Sequence, residues 1–197
     1  MSLLLPGLEG YAKRDESLGQ WDTHPEVCAA FVRWCAPRPR SSVLEPCAGI
    51  GNLARAFDRE GHVVTAIEID PERAAVSGAR VGDFLAEAAP PRPSFDLAAM
   101  NPPYERDGET RFMQRGLLFA PRVCAIVRLV ALASERRADA WEAMIVSRLA
   151  HLVPRPVFAG SSGMDEIVFV EVKPRRGAKP LRESIVRMEW LRWKELA

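Results

Sequence analysis

Asn101-Pro102-Pro103-Tyr104 is the stretch of this sequence best suited to chemistry. Two prolines hold the backbone rigid and remove two amides, leaving carbonyls as acceptors. The Asn101 side-chain oxygen and the Pro102 carbonyl could then both accept from one planar amino group, with Tyr104 stacked on the ring that carries it. Such a site aims the lone pair of a weakly nucleophilic amine at an electrophilic donor by positioning, without a strong base. Taken alone, the tetrapeptide reads better as a Pro-Pro turn beside a partly buried tyrosine.

What lies upstream decides between those readings. In Val43-Leu44-Glu45-Pro46-Cys47-Ala48-Gly49-Ile50-Gly51-Asn52-Leu53-Ala54 a strand enters a glycine turn and a helix leaves it. Gly49 and Gly51 let a ligand approach the backbone, and the new helix offers unpaired amides. Glu68, at the end of the next strand, can accept both hydroxyls of a ribose. This spacing is that of a dinucleotide-binding turn, so a nicotinamide cofactor is one candidate. Glu45 argues for another. At the strand end it would repel a pyrophosphate but attract an ammonium, which favours S-adenosylmethionine, a cofactor without phosphates. Further on, Gly82-Asp83-Phe84-Leu85 supplies an acid that can accept from an adenine amino group and an aromatic that can cover the ring.

These residues need a frame. Helical spacing of Val27, Ala30, Phe31 and Trp34 predicts a helix over 25–36, closed by Pro37 and Pro39. Strands are expected at 42–45, 62–68, 79–81 and 95–100, with helices at 51–60 and 71–76 between them. Downstream, 112–119 reads as helix, 123–132 as one long buried strand and 136–150 as helix. Residues 151–158 and 166–172 flank Gly160-Ser161-Ser162-Gly163 and are expected to pair as a hairpin. Such alternation predicts an α/β fold, with helices on both faces of a mostly parallel sheet and an antiparallel edge. Ligands in these sheets bind beyond the carboxyl ends of the strands, where every motif above falls.

The chain has 197 residues, 48% of them hydrophobic, and a formal net charge of +1. That excludes a disordered or fibrous chain. The longest apolar run, 123–133, is interrupted by Arg128 and falls short of the ~20 residues of a membrane span. No basic residue precedes the short N-terminal leucine run, so no signal peptide is expected. Cys28, Cys35, Cys47 and Cys124 form no CxxC pair, and the histidines show no metal spacing. A reduced, cytoplasmic protein without membrane or metal partners is the expectation. The near-neutral charge averages unlike parts: residues 173–197 hold eight basic side chains and three acidic ones. A basic end on an acidic body suggests an anionic partner, although a solvated surface helix would look the same.

From about residue 20 to 173 the sequence resembles the class I S-adenosylmethionine-dependent amino-methyltransferases, especially the adenine-specific DNA methyltransferases. Residues 123–137 and the segments Arg155-Pro156-Val157-Phe158 and 163–170 are similar to small phage- or prophage-type members; Glu-Pro-Cys-Ala stands where those enzymes usually have Asp-Pro-Ala-Cys. The resemblance implies a Rossmann-like class I methyltransferase fold with a seven-stranded sheet ending in an antiparallel hairpin. It implies an N-terminal arm over 1–23, a catalytic domain over 24–173, and a basic extension over 174–197 that the spacing of Leu181, Ile185, Met188, Leu191 and Leu196 makes helical. No separate target-recognition domain is expected, and a homodimer is one way to supply specificity.

By the same resemblance, Thr23, Glu45, Pro46, Ala48, Gly49, Gly51, Glu68, Ile69, Asp83, Phe84 and Asn101 hold S-adenosylmethionine. Thr23 matches a Thr-Pro element with His24 inserted. Asn101, Pro102, Pro103 and Tyr104 match the catalytic tetrapeptide that grips a flipped target base. Enzymes on DNA adenine, RNA adenine and protein glutamine share this tetrapeptide, so DNA is the leading partner with RNA or protein as alternatives. A nicotinamide oxidoreductase and a non-catalytic cofactor-fold module are the readings from other classes. Base flipping requires cationic contacts, and Arg106, Arg111 and Arg115 are the candidates. Arg111 and Arg115, four apart, could instead face solvent on a helix.

Overall fold

A computed structural model describes residues 22–105, 107–153, 166–175 and 187–196. Eight strands form one sheet: β1 (Ser42–Glu45), β2 (Val63–Glu68), β3 (Arg80–Val81), β4 (Leu97–Met100), β5 (Val123–Arg128), β6 (Met144–Leu152), β7 (Ile167–Pro174) and β8 (Arg187–Leu191). Their order is β3-β2-β1-β4-β5-β7-β6-β8. The pairs from β3 to β5 are parallel, β7 runs antiparallel to β5 and β6, and β8 is parallel to β6. Because parallel strands here are covered on both faces, β4 and most of β5 are buried without alternation.

Helix α1 (Pro25–Cys35) starts where the sequence says it should. The His24 ring accepts from the Glu26 amide, Pro25 fills the first turn, and Ala36 closes the helix in a left-handed conformation. Its buried face, with Phe31 and Trp34, packs on Phe169 of β7 and joins Leu53 and Phe57 of α2 (Asn52–Arg59) in one core. The second core, with Met100, Val123, Val168 and Val170, takes in Met113 and Phe119 of α4 (Gly108–Phe119). Between them in sequence, α3 (Pro71–Ser77) is capped by Asp70, whose carboxylate accepts from the Glu72 and Arg73 amides.

Three expectations are corrected. The strand from Val123 ends at Arg128, where pairing with β7 stops, and Leu129–Leu132 forms a short helical turn, α5. The helix expected over 136–150 is instead a 3-10 turn (Glu135–Arg137), a short α6 (Ala138–Glu142) and strand β6. Residues 144–151 bond along β7, and that sheet context overrides the helical spacing. The hairpin therefore pairs β6 with β7, while residues 154–165, including Arg155 to Phe158 and the expected turn, lie outside the described residues.

The third correction makes the sheet eight-stranded and extends it past residue 173. Residues 187–191 are the strand β8, not part of a helix. Glu189 accepts from the Trp34 indole at 3.2 Å and pairs with Arg148 at 3.1 Å, while Leu191 and Leu196 dock on the α1-side core. Met188 and Trp190 are left exposed, with Trp190 stacked on His151. The helical stripe that these residues suggested would have needed both inside.

Candidate functional site

The carboxyl ends of β1, β2 and β4 bring Glu45, Glu68 and Asn101 to one mouth of the sheet. Between β1 and α2 the chain makes the glycine turn, with φ of +54° at Gly49 and +86° at Gly51. A Cβ on Gly51 would lie 2.9 Å from Ser77 Cβ, so this left-handed position also has no room for a side chain. Glu68 clamps the turn: its carboxylate accepts from the Gly49 amide at 2.6 Å and the Asp70 amide at 3.0 Å.

Glu45 is buried, and its Oε2 has no hydrogen-bond partner. Burial, and then the nearby Glu68 charge, push its carboxyl well above the ordinary 4.5. The folded protein therefore binds more protons than the unfolded chain above that value, and its stability falls as pH rises through the window up to the raised value. Glu45→Gln should flatten this fall. Thermal unfolding of the ligand-free protein from about pH 5 to pH 8 checks it, and equal slopes in both proteins would refute it. A buried carboxyl with one unpartnered oxygen is also a receptor for a cation.

Asn101 is held on two sides. Its Nδ2 donates to Thr23 Oγ1 at 2.9 Å, and its Oδ1 accepts from the Tyr104 hydroxyl at 2.9 Å. Thr23 is fixed in turn by the Asn52 amide on its carbonyl at 2.8 Å. Asp22, Thr23, Glu45, Cys47, Gly49 and Asn101 line a cavity of about 20 Å³. Pro46 and Ala48 are buried beside the turn, and Ile69 is an exposed apolar side chain at the end of β2.

Other expected residues are placed differently. Phe84 is fully buried against Phe112 and Phe119, so its ring belongs to the core and has no face open to a ligand. Asp83 is exposed and accepts from the Leu85 amide at 2.9 Å. Arg115 is neither solvent-facing nor a ready phosphate contact, because it donates to the carbonyls of Phe84 and Glu87. Arg111 is exposed on α4, and Arg106 lies outside the described residues.

A buttress behind the tetrapeptide was not anticipated. Arg128 donates to the Tyr104 carbonyl at 2.7 Å, and its guanidinium sits 5.0 Å from the Tyr104 ring centre. Glu109 holds Arg128 at 3.0 Å, while Arg137 approaches Glu109 at 3.3 Å and Asp107 at 3.0 Å. Gly108 allows this closeness: a Cβ there would stand 1.9 Å from the Pro103 carbonyl oxygen. Arg128, a lone cation inside an apolar run, was the one signal of the buttress in the sequence.

No family model and no curated protein matches this chain. Solved structures do. A candidate RNA methyltransferase from Pyrococcus horikoshii superposes with a TM-score of 0.69 at 16% identity, over 88% of this chain and 94% of that one. The fold is methyltransferase-like. The M protein of the type I restriction enzyme EcoKI matches with a TM-score of 0.62 at 15% identity, over 82% of this chain. This chain spans only 45% of that protein. A TehB-like S-adenosylmethionine-dependent methyltransferase from Corynebacterium glutamicum gives 0.57 at 16% identity, over 78% and 89% of the two chains.

Proposed function

We propose that this protein transfers a methyl group from S-adenosylmethionine to the exocyclic amino group of adenine in DNA. One juxtaposition carries the reading: a buried Glu45 with one unpartnered carboxyl oxygen and the left-handed turn at Gly49 share a cavity with Asn101 of the Asn-Pro-Pro-Tyr stretch. The neighbours include methyltransferases of DNA-modifying systems, which supports the cofactor and a nucleic-acid substrate.

The donor set fits the cofactor. Glu45 would receive the ammonium, the turn at Gly49 and Gly51 would accommodate the backbone-close approach, and Glu68 and Ile69 would meet the ribose and adenine side. When bound, the cofactor supplies an electrophilic methyl group on a sulfonium. This chain's part is to orient the amine. Asn101 Oδ1 and the Pro102 carbonyl would accept hydrogen bonds from its two N–H groups, and the lone pair is left pointing away from them. The Tyr104 hydroxyl already donates to Asn101 Oδ1, so the base would take that oxygen's second lone pair or displace the hydroxyl. Arg111 is the remaining described candidate for phosphate contact.

Tritiated methyl transfer to DNA, RNA and protein extract tests the reading, with sequencing of modified adenines in cells expressing the protein to locate the target. Labelled adenine in DNA is the expected result. Label in RNA alone would move the substrate to RNA, in keeping with the Pyrococcus neighbour. Affinity for a nicotinamide dinucleotide and none for S-adenosylhomocysteine would overturn the cofactor.

A further inference from the structure

Arg73 is the least explained charge in the described residues. It lies on α3 with 1% of its side chain exposed, and Asp22 Oδ1 holds its Nη2. Its Nε and Nη1 are buried with no hydrogen-bond partner. Of the acids nearby in sequence, Glu72 is exposed, and Glu68 and Asp70 are engaged with backbone amides. A buried guanidinium with two idle nitrogens is costly, and its planar fork is shaped for a carboxylate taken by two parallel bonds.

Its position gives that fork a purpose. A Cβ on Gly49 would stand 2.9 Å from Arg73 Nη2 and 3.8 Å from Cζ, so the guanidinium lies directly against the ligand turn. Asp22, whose carboxylate Arg73 holds, lines the same small cavity as Glu45. At about 20 Å³ this cavity has room for one water-sized group, so a larger guest needs its lining to give way, and Asp22 is part of that lining. A carboxyl that can receive an ammonium lines the cavity, and an arginine that can receive a carboxylate lies one residue behind it, screened by Asp22. That pairing is complementary to the α-carbon of a free amino acid, which bears both charges.

We propose that Arg73 is the receptor for the α-carboxylate of the cofactor's methionine end, and that Asp22 is a built-in stand-in holding it until the cofactor arrives. The inference rests on the S-adenosylmethionine reading. Binding then exchanges one carboxylate for another on Arg73 and frees Asp22, which immediately precedes Thr23, the partner of Asn101. Occupancy of the cofactor site is thereby coupled to the first residues before α1.

Calorimetry on the full chain separates the outcomes, using S-adenosylhomocysteine, which carries the amino-acid end, and 5′-methylthioadenosine, which lacks it. Asp22→Asn should tighten S-adenosylhomocysteine about tenfold by weakening its competitor and leave 5′-methylthioadenosine unchanged. Arg73→Gln should weaken the former by about thirtyfold or more and spare the latter. Equal losses for both ligands in Arg73→Gln, or weaker S-adenosylhomocysteine binding in Asp22→Asn, would overturn the proposal while leaving the cofactor reading intact. Wild-type protein that binds neither compound would sink the cofactor reading and this inference with it. Asp22 is 12% exposed, so its isosteric variant keeps the test decisive even if Arg73→Gln fails to fold.

Discussion

Asn101→Ala should lower methyl transfer by about a hundred- to a thousandfold while leaving S-adenosylhomocysteine affinity little changed. The size follows from what the residue is placed to do. In the proposed reaction the rate depends on holding the amine, and Asn101 Oδ1 is one of two acceptors assigned to it. Cofactor affinity should survive, because the Thr23 that Asn101 touches is also anchored through its carbonyl by Asn52 at 2.8 Å. Asn101→Asp sharpens the test: it keeps an acceptor at the same place while exchanging the amide donor for a carboxyl, so it should retain more activity than the alanine variant. Single-turnover rates with excess enzyme, beside calorimetric affinities, distinguish lost positioning from lost binding. Full activity in Asn101→Ala would refute the role of the side chain.

How much of this was visible in the sequence depends on the range of the interaction. The path from Val43 through the glycine turn to Glu68 is written in neighbours: two glycines force the turn, a strand precedes it, and an acid ends the next strand. The Asp70 cap with Pro71 and the His24–Pro25 start of α1 are equally local. What eluded the sequence is settled across the fold. Ile145 to Ala150 carry helical spacing, yet the ladder with β7 makes them a strand. Trp190 and Leu191 form β8 because Glu189 can reach Trp34 and Arg148, more than 40 residues away. Phe84 sits in the expected register beside Asp83, but Phe112 and Phe119 of α4 draw its ring into the core. Arg73 and Glu109 had no sequence signature, since nothing nearby in the chain shows that either would be buried.

Glu109 is where that hidden layer has its largest expected consequence. Its side chain is fully buried, with Oε1 3.0 Å from Arg128 and Oε2 3.3 Å from Arg137. Removing one member of a buried ion pair leaves the other charge desolvated and unpaired, and typically costs about 3–5 kcal/mol. Arg137 keeps Asp107, whereas among the described residues Arg128 pairs with Glu109 alone. Glu109→Ala should therefore lower the unfolding free energy by that amount, read as a lower denaturant midpoint with an unchanged slope, equivalent to a fall in Tm on the order of 10 °C for a chain of this size. Glu109→Gln, which keeps the shape and an acceptor for Arg128, should lose less. The functional prediction is more selective than the stability one. Arg128 braces both the carbonyl and the ring of Tyr104, whereas Glu109 makes no contact with the glycine turn. Below the unfolding range, kcat should fall in Glu109→Ala, with S-adenosylhomocysteine affinity retained and partial rescue in the glutamine variant. A loss of stability with kcat intact would reduce the Glu109–Arg128 pair to a fold contact and leave Tyr104 to position itself.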